Sequence, residues 1–560
     1  MSTNDNIIAR IYSNFRGADF RGEEINLVRS PDCLNIWKDY RETESIRTRP
    51  DLDLKYSFTD PVYGIFFYEA NDKEMCIVHS GTKLYNADTK EVLFSGANAA
   101  KSDAFVYNNK WYFKDGKNYL QYDGVTIKAV EGYVPTTSIG RKPEGGGSIH
   151  EDVNLLSTKR INTFLADGKS KEFHLDAQDI DTDYKPVVKV NDKEVTNFAV
   201  NYEKGLITFT AAPAAPATDG QDNVSVEFSK TVDGYSNRIT NCTLLQVFDN
   251  RVFFSGNKDF PNVIYHCSLN DPSYCSDLDY YNEGLDTAAI KGLVAGNNVL
   301  WVFREPSQSN TTVFYHTPTI DSDYGKIYPS SHSSIATGCV GKAINFNDDI
   351  VFFSDRGMEG ISGDITTEQV VAHRSSLVDR KLIAEANYKN MLLEEWDGYL
   401  IVFIDNKAYL ADSRAMFTNE SHKEYEWFYW ELDKDITCTK VNNGVLYVGT
   451  TNGVYTLTNN TRNVKAYWVT PKDKFKYPQK LKTTNKRGCV VEATGDISVY
   501  AKLEDTDFEL IGTYEDITDY FVCRIKRKKF KDLQLKFYST TRFSLETATL
   551  ECFVGGYIKR

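Results

Sequence analysis

Methionine and histidine are scarce in this chain: 5 and 8 of 560 residues, with 15 prolines. The histidines are dispersed, and none stands at metal-ligand spacing from another, which argues against a histidine metal centre. The ten cysteines include no C-x-x-C pair, so they are expected to be free, mostly buried thiols rather than a disulfide frame or zinc site. No apolar run approaches the ~20 residues of a membrane helix, and the opening Met1-Ser2-Thr3-Asn4-Asp5-Asn6 has no basic-then-apolar signal pattern. A soluble protein made in a cytoplasm is expected, without membrane insertion. Basic residues are in the minority, 65 against 78 acidic, for a net charge of −13. That balance opposes tight, sequence-independent nucleic-acid binding, although not a surface that DNA merely passes. Phosphate loops, H-E-x-x-H and G-x-S-x-G are all missing, and no cofactor is expected.

What is abundant is aromatic and patterned. Tyr 35 and Phe 32 dominate a chain that is 41% hydrophobic, enough for a sizeable core and suited to strands. One hairpin recurs: an apolar strand, an Asn/Asp/Gly turn of the kind that accepts positive φ, then an aromatic-rich strand. Its clearest copy is Leu245-Gln246-Val247-Phe248-Asp249-Asn250-Arg251-Val252-Phe253-Phe254. Others surround Asn108-Asn109, Asn297-Asn298, Asn347-Asp348, Asp397-Gly398 and Asn442-Asn443, with a weaker copy at Asn71-Asp72. From Asp249 onward the turns lie 48, 50, 50 and 45 residues apart. A period near fifty with room for four strands predicts an all-β fold built on a β-propeller of six to eight blades, seven by count.

The repeat divides the chain. Residues 1–60 precede it and read as a docking segment; 61–140 hold the opening stretch of the propeller. A Gly-rich linker, Arg141-Lys142-Pro143-Glu144-Gly145-Gly146-Gly147-Ser148, leads to residues 151–232, expected as an inserted β-sandwich because Gly205–Thr210 and Asn223–Phe228 alternate apolar and polar residues. The propeller resumes over 233–462, and 463–560 read as a C-terminal β domain, sandwich-like. Within it Arg524-Ile525-Lys526-Arg527-Lys528-Lys529-Phe530-Lys531 is a dense basic run. On a continuous strand its charges would divide between two faces, so acidic protein surface or water is the expected neighbour rather than DNA.

Propellers often cleave glycans, so paired carboxylates are of interest. Glu394-Glu395 and Asp348-Asp349 read as exposed acids near hairpins. Ser354-Asp355-Arg356-Gly357 only faintly follows a sialidase Asp-box, and Asp277-Leu278-Asp279-Tyr280-Tyr281-Asn282-Glu283 reads as a solvated loop without calcium-ligand spacing.

The most specific stretch is N-terminal. Phe15-Arg16-Gly17-Ala18-Asp19, then Arg29-Ser30-Pro31-Asp32-Cys33-Leu34-Asn35-Ile36-Trp37, then Arg49-Pro50 resemble, in order and spacing, the opening of the tailed-bacteriophage stabilisation protein family. That family is similar to the packaged-DNA stabilisation, or tail-nozzle, proteins of short-tailed phages. The resemblance implies a non-enzymatic virion structural protein of the tail, assembled in the host bacterial cytoplasm. It implies a homo-oligomeric ring, a hexamer, below portal and adaptor proteins, which closes the DNA exit channel and retains packaged double-stranded DNA until ejection without sequence-specific binding. It makes Phe15, Gly17, Asp19, Arg29, Ser30, Pro31, Asn35, Trp37, Arg49 and Pro50 an assembly or docking motif. No catalytic residues carry over. The alternatives are a glycan-degrading propeller enzyme and a non-viral propeller scaffold.

Overall fold

The computed structural model describes residues 7–22, 25–41, 45–70, 73–309, 311–322, 325–362, 370–419, 422–458, 463–526 and 528–558. It is nearly all β, with 55% strand and 2% helix. The turns follow from residue chemistry. Asn108 and Asn109, Asp249 and Asn250, Asn297 and Asn298, and Asn347 and Asp348 all take positive φ, between 47° and 63°. Asn and Asp tolerate this conformation through their short polar side chains. At the last hairpin the left-handed pair is Asn443-Gly444 rather than Asn442-Asn443, because Asn442 still pairs with Val445. Asn71-Asp72 lies outside the described residues.

The hairpins build seven four-stranded sheets among the described residues. Six are consecutive in sequence, one of them with an extra hairpin, Thr319–Asp321 with Gly325–Ile327, before its fourth strand. The seventh is composite: Cys438–Asn442, Val445–Gly449 and Gly453–Thr458 are completed by Asp51–Ser57, which pairs along Gly453–Thr458. The last strand of the last sheet thus comes from the segment that its sequence marks as pure docking.

Two compact units make up the chain. The first comprises residues 1–67, 76–81 and 334–560, the second residues 68–75 and 82–333. Within the second unit, residues 136–229 form two sheets of six and three strands around one apolar cluster that includes Phe164, Phe173, Val188, Phe209 and Phe228. This module starts earlier than 151. Thr136–Arg141 pairs in parallel with Lys159–Phe164 and antiparallel with Ser148–Ile149. The expected linker is therefore a closed hairpin, with Gly145, Gly146 and Gly147 all at positive φ and Lys142 bonded to Gly145 in both directions.

Within the first unit, the C-terminal domain is one 11-stranded sheet. Four of its strands are N-terminal: Ile7–Tyr12, Cys33–Leu34, Ile36–Lys38 and Ile46–Thr48. Its longest strand, Lys480–Leu503, has to bend back on itself. Lys482 pairs with Phe530 and Leu503 with Leu533, positions three residues apart, whereas a straight strand of that length would run about 75 Å. Register shifts along the strand supply the bends. All ten cysteines are buried and free. No helix among the described residues is long and apolar enough to cross a membrane.

Candidate functional site

The N-terminal motif converges on two strands of the first unit: His422–Glu431, outermost in its four-stranded sheet, and Ala466–Val469 of the C-terminal sheet. The chain first passes His422–Glu431 at Gly17. A Cβ there would sit 2.1 Å from the Trp427 carbonyl oxygen, at a φ of +147°, so only glycine permits the approach. Gly17–Ala18 pairs in parallel with Arg29–Ser30. Phe15 packs edge-on against Trp468, centroids 5.1 Å apart. Asp19 is fully buried and is held by Arg21 through two hydrogen bonds of 3.0 and 2.8 Å.

Arg29 forms a bidentate pair with Glu426, at 2.8 and 2.7 Å, and lies over the Phe417 ring. Glu426 is fully buried; a paired, hydrogen-bonded geometry is what makes such a charge tolerable. The Ser30 hydroxyl donates to the Val469 carbonyl at 2.7 Å. Cys33–Leu34 then pairs with Tyr467 and Trp468. Pro31 borders a cleft with Phe20, Lys381 and Glu385.

Asn35 is the knot. At φ 56° its backbone N–H donates to Tyr429 O and its Nδ2 to Lys465 O. Its Oδ1 accepts from Arg49 Nε and from the Glu431 N–H, both at 2.8 Å. Arg49 also donates from Nη1 to the Pro50 carbonyl (2.7 Å) and from Nη2 to the Glu431 carbonyl (2.9 Å). Burial pulls the Arg49 guanidinium below its ordinary range, with Asp51 opposing. Trp37 stacks on Trp396 at 5.3 Å and 22°, and Trp430 meets it edge-on at 5.8 Å. All ten motif residues thus make contacts within the chain, and eight are buried. The arrangement ties one four-stranded sheet to the C-terminal sheet. Glu426, Trp427, Trp430 and Trp468 complete it; only the density of aromatics from Trp427 to Trp430 hints at them in the sequence.

The other candidates are engaged elsewhere. Glu394 and Glu395 point to opposite faces of Leu392–Trp396, and Glu394 accepts the Val441 N–H. Asp349 is held by Arg374 and Tyr425, while Asp348 belongs to the turn. Ser354 accepts the Arg356 N–H in a tight hairpin. In the acidic loop, Glu283 is fully buried between His316 and Ser330. No three His, Cys, Asp or Glu side chains are placed to hold a metal ion together among the described residues. Sequence reasoning misses His373, which Asp379 and Glu359 contact at 2.5 and 3.3 Å. Burial alone would lower its pKa; the two carboxylates raise it to about 10. The basic run is not one strand, since Tyr520–Cys523 ends before it and only Lys529–Phe530 resumes pairing. Ile525 is buried, whereas Arg524, Lys526, Lys528 and Lys529 are all exposed. Arg527 lies outside the described residues.

No protein-family model matches the chain, and no curated protein matches it significantly. Among solved structures it is similar to a computationally designed protein, at 9% identity and TM-score 0.31 over 73% of this chain and 99% of that one. It is also similar to BamB from Moraxella catarrhalis, at 11% identity and TM-score 0.32 over 78% and 94%. An exo-beta-1,3-galactanase from Phanerochaete chrysosporium matches at 8% identity and TM-score 0.21 over 55% and 94%. At such TM-scores these likenesses carry no argument about this chain.

Proposed function

We propose that the chain is a non-enzymatic structural subunit of a tailed-phage virion, a seven-bladed β-propeller carrying an inserted β module. In this reading the subunits form a ring around the DNA exit channel, next to portal and adaptor proteins, and the ring holds packaged DNA until ejection. The observation that carries it is the use of the N-terminal segment. Asp51–Ser57 completes the last four-stranded sheet and leads directly into the strand Val62–Ala70 that opens the first one. A propeller whose last blade takes its outer strand from the chain start is closed by that pairing, and its blades keep only short, protected edges. The motif ahead of the closing strand fastens the C-terminal sheet, so the resembled residues serve a rigid building block. Sedimentation velocity of the full chain tests this: a discrete oligomer that grows at the expense of monomer supports it, and a monomer at every concentration, with or without portal and adaptor proteins, opposes it.

A second reading, a propeller enzyme acting on glycans, has one observation in its favour: the half-exposed His373 lies between Glu359 and Asp379. Glycan turnover that is lost in Asp379→Asn would establish that reading in place of the first.

A further inference from the structure

The bent C-terminal sheet leaves one long margin open. Glu509–Ile517, Tyr520–Cys523 and Lys529–Phe530 each pair with Lys480–Leu503 on one side and, among the described residues, with nothing on the other. Because that long strand bends back, the start of Glu509–Ile517 and residues 524–529 border a common cavity of about 270 Å³. At ~30 Å³ per liquid water, that is room for about nine waters, or for one or two apolar side chains.

The lining has two kinds of surface. Leu503, Ile511 and the buried Ile525 give an apolar floor, with Leu510, 56% exposed, at the rim. Arg524, Lys526, Lys528 and Lys529 supply the charge. Lys528 lies 3.6 Å from Glu509. Arg524, Lys526 and Lys529 have no ion pair among the described residues, in a chain that is otherwise acidic. Lysine on an open edge is by itself a common guard against edge-to-edge pairing. An apolar hollow beneath the lysines is not part of that device.

We infer that this margin receives an extended acidic segment of a partner protein. Its backbone adds to the open edge, one apolar side chain enters the cavity, and flanking carboxylates meet Arg524, Lys526 and Lys529. Strand addition of this kind takes affinity from main-chain hydrogen bonds and specificity from alternate side chains. Duplex DNA fits less well: its phosphates offer nothing to an apolar floor, and the net charge of −13 opposes a polyanion beyond the local contact. The inference rests on the reading of the chain as an assembly subunit, and it adds the chemistry of one partner.

The test is fluorescence anisotropy on the full-length chain with a labelled synthetic peptide of alternating Asp and Leu. Expected is saturable, salt-sensitive binding, weakened about tenfold or more by Lys526→Glu/Lys528→Glu/Lys529→Glu. Leu510→Asp, which keeps every cation, is expected to weaken it as well. Far-UV circular dichroism and protease resistance check that both variants remain folded. Failure of the peptide to bind, or binding lost in the lysine variant but intact in Leu510→Asp, would overturn the slot. So would short duplex DNA that binds the wild type more tightly than the peptide does. Self-association of the wild-type chain that excess peptide disperses, and that the lysine variant lacks, would move the acidic strand to a second copy and overturn the foreign partner. Ring formation is read separately by sedimentation, so a failed peptide leaves the ring reading standing, and a monomer that binds the peptide defeats only the ring.

Discussion

Replacing Trp37 by alanine removes the largest side chain of the N-terminal staple, and the structure sets the size of the loss. The indole is 1% exposed, so truncation costs about 3–5 kcal/mol by transfer and cavity terms. The stack on Trp396 and the edge contact with Trp430 place the value in the upper half, since aromatic pairs add about 0.5–1.5 kcal/mol each beyond buried area. Working the other way, Trp37 Nε1 is buried without a hydrogen-bond partner. Trp37→Phe therefore gives up area but also removes an unsatisfied donor, which costs about 1–3 kcal/mol where it stands; its net loss is expected near 1 kcal/mol. A chain of two compact units is not expected to unfold in two states, so the assay is native-state hydrogen exchange read on Cys33–Leu34 and Ala466–Val469. The staple predicts that the opening free energy of both strands falls together, by at least about 3 kcal/mol in Trp37→Ala. A loss below about 1 kcal/mol, or a loss confined to Cys33–Leu34, would refute the idea that Trp37 welds the N-terminal segment to the C-terminal sheet.

Gly17→Ala is expected to be more damaging than its size suggests, because the new methyl collides with the Trp427 carbonyl; a thermal midpoint equal to wild type would contradict the close approach. His373→Gln is expected to be less stable than wild type near pH 6, with the gap closing as pH rises. The raised pKa of His373 gives stability that is complete below the unfolded value of ~6.5 and lost through about 10. Urea midpoints of both proteins across that range check it, and a gap that widens with pH would reverse the sign. Residues 141–150 are expected to resist limited proteolysis despite three glycines, because they form a closed hairpin; first cleavage there would mean that the pairing is not maintained.

The local grammar of the chain is legible in its sequence, and its long-range pairings are not. Asn109, Asn250 and Asn298 announce left-handed turns because few other side chains tolerate them, and aromatic strands announce what those turns connect. Arg29 gives no sign that its partner, Glu426, lies 397 positions away, nor does Asp51–Ser57 reveal that it finishes a sheet begun at Cys438. Such contacts depend on tertiary placement and leave no local pattern. The glycines at 145–147 suggest slack by sequence alone, since glycine serves a flexible linker and a tight hairpin equally well. The basic run suggests a continuous strand. The buried Ile525, in a break between two strands, instead directs its described charged neighbours outward around one cavity. The motif residues stand out as a group, but their role inside the chain becomes visible only with Tyr429, Lys465 and Glu431 placed around Asn35.

The proposed ring of propellers is tested most directly by electron-microscopic class averages of the purified full-length chain, alone and mixed with portal and adaptor proteins. The account predicts closed rings with a central channel, each subunit showing a seven-bladed disc. Isolated single particles in every mixture, or subunits without a bladed disc, would contradict it.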